Sequence, residues 1–156
     1  MCCADGMNSP VTQPNHTYSV EFRLYGDLLD PVEVSSIIGL QATQWSNGKP
    51  IGQRPRMPFW GYNGSDDPQF QDEWQSLEDG LALVSRRLKP YRSIIAKLSE
   101  RFDGIWWCGH FQCSFDGGPT LSPSLLADIA SFGCPLFLDN YHSVGDDSLQ
   151  ARQSPA

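Results

Sequence analysis

The sequence predicts an α+β fold: a two-layer sandwich in which a mostly antiparallel sheet of about four to six strands carries helices on one face. Residues 18–24 alternate apolar and polar side chains, as a strand with one buried face does. The middle of the chain carries a long apolar stripe with a helical period. A strand, a helix, a glycine and a second strand also occur in this order twice, which gives the fold a ferredoxin-like split βαβ character.

A single domain accounts for the length of the chain. It has 156 residues, of which 40% are hydrophobic, so it can bury a core without disulfides or a metal. Residues 1–16 and 143–156 are polar and unpatterned, and chain ends of this kind are commonly poorly ordered. We therefore expect a disordered leader over 1–16, one α+β domain over 17–142 and a disordered tail over 143–156.

The first repeat begins with the clearest strand of the sequence. Its apolar residues occupy every second position: Tyr18, Val20, Phe22 and Leu24. After this strand, Asp30 is placed to cap a helix that opens at Pro31, and Glu33 can return a hydrogen bond to the cap. Gly39 is a stop signal, so we expect a helix over about 31–38.

The second repeat lies nearer the C-terminus and has the same order of elements. We expect a strand over 105–114, a helix that opens at Pro123 and stops at Gly133, and a strand over 136–138. Two strand–helix–strand units of this kind suggest two related halves about a pseudo-twofold axis.

A helical block lies between the two repeats. Its apolar positions recur at intervals of three and four residues: Leu77, Leu81, Val84, Leu88, Tyr91, Ile95, Leu98 and Phe102. Pro90 has no backbone donor and crowds the preceding turn, so we expect a break near Lys89 rather than one straight helix. Two helices that cover one face of a sheet explain this stripe better than a dimeric coiled coil does.

The segment 46–73 is a long excursion with four prolines and four glycines, in which we expect one short strand near 59–62. It combines cations with aromatic residues, a composition favoured in recognition surfaces. The predicted ligand-binding residues, suited to an anion or another small molecule, are Trp45, Lys49, Arg54, Arg56, Trp60 and Tyr62. The competing interpretation is that Trp45 and Trp60 pack beneath the loop.

The stretch GIWWCGHFQCS, residues 104–114, contains two cysteines and a histidine. In a strand, Cys108 and His110 share one face and Cys113 points to the other, so the two cysteines cannot form a local zinc knuckle. His142 is a weak third metal-ligand candidate. Because no CxxC or HExxH spacing is present, we expect structural thiols and a satisfied histidine, with no metal, no cofactor and no catalytic residues. A Cys/His nucleophile is the remaining alternative.

Net charge, apolar runs and cysteine content predict the kind of partner and the location of the protein. The formal charge of −7 opposes nucleic-acid binding and favours a basic protein partner. No apolar run approaches the roughly 18 residues of a membrane helix, so we expect no membrane association. The five cysteines are an odd number, and the N-terminus lacks the pattern of a signal peptide, so we expect a cytoplasmic protein with reduced thiols.

Several landmarks together resemble a known bacterial family, domain of unknown function 4279, over residues 18–142. They are Leu29-Asp30-Pro31, Ile38-Gly39-Leu40, Thr43, Gly48, Trp60, the leucine-rich helices, Leu121-Ser122, Gly133, Leu138-Asp139 and Tyr141. This chain departs from the family at Ala42, where proline tends to precede Thr43. The resemblance implies an activity that is not established, relatives that neighbour toxin and immunity genes, and no catalytic residues to carry over.

These observations lead to two functional hypotheses. The first is a non-enzymatic protein-binding module, of immunity-protein type, that uses an acidic surface and the 46–73 excursion. The alternative is a small-molecule or anion-binding protein, or an enzyme, that uses the arginines and aromatic residues of the same excursion. The alternation in 18–24 also predicts a less buried sheet face, which could support a homodimer.

Overall fold

β1, His16–Tyr25, is the central strand of a five-stranded sheet in the computed structural model, which describes residues 15–48, 52 and 56–143. The other strands are β2 (Gln44–Ser46), β3 (Phe59–Tyr62), β4 (Asp103–Gln112) and β5 (Leu136–His142). Their order across the sheet is β2-β3-β1-β4-β5, and every neighbouring pair is antiparallel except β4 and β5. The predicted α+β fold with a mostly antiparallel sheet is confirmed.

The two faces of the sheet differ in burial. The even-numbered residues of β1 that form the core, Tyr18, Val20, Phe22 and Leu24, are at most 4% exposed. Since side chains alternate along a strand, the odd-numbered residues project from the opposite face. In the described residues this second face carries no helix, and we call it the open face. It comprises the odd-numbered residues of β1, β4 and β5, with Phe59 and Gly61 of β3 and Gln44 and Ser46 of β2.

Capping residues mark the start of both α1 and α4. α1 spans Pro31–Ile38, with the Asp30 side chain accepting the Val32 N–H at 2.9 Å. It ends at Gly39, whose φ of 81° is readily adopted only without a β-carbon. α4 spans Pro123–Ala130 and is capped by a neighbouring serine hydroxyl. The starts of both helices and the end of α1 confirm their sequence signals, whereas α4 ends at Ala130, before the predicted stop at Gly133.

The central helical block is divided as its proline requires. α2 spans Leu77–Leu88, a 3₁₀ turn follows at Lys89–Tyr91, and α3 spans Arg92–Leu98. The buried residues of these helices, among them Leu81, Val84, Leu88 and Ile95, pack on the even-numbered face of β1. The break near Lys89 is confirmed, and both helices lie in the layer that covers one sheet face.

The first repeat is a split βαβ unit. β1 and β2 are both antiparallel to β3, which lies between them, so they run parallel to each other without touching. The second repeat differs, because β4 and β5 are parallel and adjacent, joined by α4. The repeat predicts a strand after Gly39 without fixing its bounds, and the structure places this strand at the three-residue β2.

The predicted leader and tail fall almost wholly outside the described residues, apart from residues 15, 16 and 143. His16 is the first residue of β1, where it pairs with Gln112. Asn15 accepts the Cys113 N–H at 3.1 Å. Within the described residues, no helix is long and apolar enough to cross a membrane.

A buried polar contact joins α1 to the sheet. The indole N–H of Trp60 donates to the Ser35 hydroxyl at 2.9 Å, and Trp60 has no exposed surface. The same hydroxyl accepts the N–H of Ala42 at 3.3 Å. Alanine at position 42 therefore supplies a backbone donor that a proline at this position would lack.

Replacement of Ser35 by alanine should lower the free energy of unfolding by about 1–3 kcal/mol, because the Trp60 indole N–H then loses its partner inside the core. Ser36→Ala is the matched control. Ser36 is exposed on the same helix, so its loss should change the free energy of unfolding by less than about 0.5 kcal/mol. Urea denaturation of both variants tests the contact, and equal midpoints would contradict it.

Candidate functional site

Of the three cations predicted to bind a ligand in the 46–73 excursion, Arg56 alone lies within the described residues. Lys49 and Arg54 lie outside the described residues, and Arg56 is exposed. Trp45, on β2, is 61% exposed and lines a groove of about 380 Å³ beside α1. Neither Trp45 nor Arg56 lines the cleft on the open face.

Trp60 and Tyr62 belong to the core rather than to a binding surface. Both are fully buried on the face of β3 that meets the helices, so direct ligand contact through them, as the sequence predicted, does not fit their position. The Tyr62 hydroxyl donates to Asp66 at 2.6 Å and accepts from Arg87 at 3.0 Å. Burial and the hydrogen bond to Asp66 raise the pKa of Tyr62 to about 12, so its hydroxyl is neutral at physiological pH.

The three metal candidates also occupy separate environments. Both ring nitrogens of His110 have partners: Nδ1 lies 2.8 Å from Asn140 Oδ1, and Nε2 lies 2.9 Å from Nδ1 of His16. Tyr18 stacks on the His110 ring at 4.8 Å. His142 instead stacks on Phe115. Among the described residues no group of three or more His, Cys, Asp or Glu could hold a metal ion.

Cys108 is enclosed in the core between β1 and β5. It pairs with Val20 on one side and Leu138 on the other, and it has no exposed surface. Burial raises the pKa of its thiol to about 12, so almost none of it is ionised at neutral pH. A thiol in this state is a poor nucleophile and a poor metal ligand.

The aromatic residues of the open face form two cross-strand pairs. Trp107 of β4 meets Phe137 of β5 with ring centroids 5.2 Å apart at 73°, and Phe111 of β4 stacks on Tyr141 of β5 at 5.0 Å and 12°. Phe137 and Tyr141 are 43% and 46% exposed. The β4–β5 half of the open face therefore presents a row of aromatic rings to solvent.

An ion pair lies at the centre of the open face. Arg23 Nε donates to Glu21 Oε1 at 2.9 Å, and Nη2 donates to Oε2 at 3.2 Å. The Arg23 guanidinium also lies 4.5 Å from the ring centroid of Trp107 and 5.1 Å from that of Phe59. Bidentate pairing and cation–π contacts hold the guanidinium flat against the sheet.

Small residues deepen the open face into a cleft of about 370 Å³. A β-carbon at Gly61 would collide with the Glu21 carboxylate, and one at Gly109 would come within 2.5 Å of the Ser19 hydroxyl. Both glycines thus leave room for polar groups that lie flat on the cleft floor. The rim carries amide, hydroxyl and carboxylate groups on Ser19, Gln44, Asn63, Gln71 and Asp72, and rings on Phe70, Trp107, Phe111 and Tyr141.

The last part of the excursion forms one wall of this cleft. β3 pairs with β1 only from Phe22 onward. Nearer the N-terminus of β1, Trp74 lies in the position that β3 would otherwise occupy. It exchanges two backbone hydrogen bonds of 2.8 Å with Tyr18. This contact holds the segment 70–72 beside the open face, so the excursion reaches the candidate site through this segment.

The arrangement is suited to recognition. Aromatic rings supply large contact areas, and the polar rim supplies hydrogen bonds that fix orientation. The sequence did not predict this site because the chemically distinctive residues of β4, Cys108 and His110, face the core. The sequence feature that could have indicated the site is the alternation along β4, which places Trp107, Gly109 and Phe111 on the face opposite to Cys108 and His110.

The comparison with protein families matches residues 16–143 to the family described as Domain of unknown function (DUF4279). The protein belongs to the DUF4279 family. The match covers every strand and helix described above, and it confirms the resemblance read from the sequence. No curated protein and no solved structure matches this DUF4279 chain.

In the folded DUF4279 protein, iodoacetamide at pH 8 should leave Cys108 unmodified while it alkylates the partly exposed Cys113. A pKa near 12 in place of the ordinary 9.0 leaves about a thousandfold less thiolate at this pH. Peptide mapping by mass spectrometry reports each cysteine, with denatured protein as the control in which Cys108 does react. Alkylation of Cys108 in the native state would restore the nucleophile hypothesis.

Proposed function

We propose that this protein is a non-catalytic bacterial protein-binding module that engages a basic partner through the open face. The observation that carries the proposal is the open face itself, a sheet surface free of helices in the described residues and lined with partly exposed aromatic rings. Solvated aromatic clusters with a polar rim are characteristic of interface cores.

Charge supports a basic partner. The described residues in and beside the cleft include the carboxylates of Glu21, Asp72 and Asp139 and one guanidinium, that of Arg23, which is already paired with Glu21. The whole chain has a formal charge of −7. Opposite charges across an interface steer encounter and disfavour wrong partners.

A partner of this kind would suit an immunity protein that neutralises a basic effector in the cytoplasm. Cys108 and Cys134 are not in disulfides, which is consistent with a reducing compartment. The cleft supports one alternative, the binding of a small molecule, because its volume of about 370 Å³ lies within the range of ligand pockets.

Charge reversal on the open face should abolish capture of the partner from extracts of the native host. The amount of partner captured by the variant Asp72→Lys/Asp139→Lys should be at most about a tenth of that captured by the unaltered protein, because two favourable charges become repulsive. The matched control is Glu100→Lys/Asp128→Lys, the same change in net charge at exposed positions of the helical layer. Quantitative mass spectrometry of the captured proteins reports both.

Loss of one partner with the open-face variant alone supports the proposal. Equal retention by both variants, or equal loss, would exclude the open face as the contact surface. Native mass spectrometry of protein purified gently from its host tests the alternative. A retained small molecule, displaced when bulky residues fill the cleft at Gly109, would favour the ligand-binding function instead.

A further inference from the structure

β5 is an edge strand with one side unpaired in the described residues. It pairs with β4 on one side only and is the last strand of the sheet. Its length of seven residues contrasts with the three residues of β2 at the opposite edge. A long edge strand offers a row of backbone groups to another extended chain.

The direction of the β5 backbone groups follows from its ladder with β4. This ladder begins with the Trp106 N–H donating to the carbonyl of Pro135 and ends with the Ser143 N–H donating to the carbonyl of Gln112. Odd-numbered residues of β5 therefore bond to β4. The N–H groups of the even-numbered residues, Leu136, Leu138, Asn140 and His142, point away from the sheet, and none has a hydrogen-bond partner in the described residues.

β5 has a single protection of the kind that edge strands usually carry, the charged side chain of Asp139, and it has no lysine, proline or bulge. Natural edge strands carry lysine, proline or a bulge, or are very short. β5 reads LFLDNYH and keeps an unbroken register with β4 from Leu136 to His142. Its one acidic residue, Asp139, is at the centre of the strand and projects on the open face, between Phe137 and Tyr141.

The position of Asp139 indicates which kind of strand could pair with the free edge of β5. If two copies of β5 paired antiparallel over their whole length, Asp139 would lie opposite its own counterpart, and like charges directly opposite destabilise a strand pair. Repulsion between two chains of formal charge −7 adds to this cost. A lysine or arginine opposite Asp139 would be attracted to it, in the closely spaced type of antiparallel pair.

We propose that β5 accepts an extended segment of the basic partner as a sixth, antiparallel strand, with a lysine or arginine opposite Asp139. The added strand continues the open face past Phe137 and Tyr141, so edge and face form one interaction surface. This inference rests on the proposed function and specifies the conformation and the central residue of the segment that binds.

Amide exchange followed by NMR tests the inference without the natural partner. The probe is a seven-residue peptide in which valine and threonine alternate about a central lysine. At a peptide concentration about tenfold above its Kd, exchange of the outward amides of Leu136, Leu138, Asn140 and His142 should slow by about tenfold. The amides of Phe137, Asp139 and Tyr141, already bonded to β4, should change little.

Matched controls isolate each part of the proposal. A peptide with central glutamate should bind several-fold more weakly, and one with methylated backbone nitrogens facing β5 should give no protection. Asp139→Asn should remove the preference for lysine over glutamate, while Asp128→Asn, on the exposed side of α4, should preserve it. No protection, uniform protection along β5, or equal binding of the two peptides would overturn the inference.

Two further outcomes separate this inference from the proposed function. Alternate-residue protection that grows with protein concentration in the absence of peptide, with dimers in analytical ultracentrifugation, would identify a second copy as the occupant and overturn the choice of partner. Loss of the host partner with the open-face variant, combined with no peptide effect at β5, would sustain the proposed function and reject strand addition.

Discussion

The two-residue alternation of β1 is the constraint on which the core and the candidate site both depend. β1 is the central strand and pairs with β4 along its whole length. Its even-numbered side chains build the core, while Glu21 and Arg23 build the centre of the open face. A slip of one residue would place a charged pair among the helices and expose the apolar set. The hydrophobic free energy of the core thus also fixes the geometry of the surface.

Local signals explain why much of the fold could be predicted. Asp30, Pro31 and Gly39 act within a few residues of each other, so the bounds of α1 followed from capping chemistry alone. Pro90 divided α2 from α3 for an equally local reason. The bounds of β2 escaped prediction because three residues contain too little alternation to identify a strand, and its place in the sheet depends on its pairing with β3.

The candidate site was harder to predict because it depends on strand pairing. Trp107 and Phe111 gain their roles only beside Phe137 and Tyr141, and nothing local specifies that β4 and β5 are parallel neighbours. Cysteine and histidine drew attention through their chemistry, although burial and the contacts with His16 and Asn140 account for His110. Residue type indicates what a side chain can do, and pairing decides whether it meets solvent.

The pairing of β1 with β4 also governs how the protein must fold. Residues 16 and 112 pair at one end of this ladder, with two strands and three helices between them in sequence. Closing so long a loop costs entropy before the contact repays it, which places such topologies among the slower folders, in the millisecond-to-second range. α1 and α2 can form early, but the sheet cannot be completed until β1 meets β4. The core and the centre of the open face therefore depend on the same long-range pairing, since β1 contributes its even-numbered side chains to one and Glu21 and Arg23 to the other.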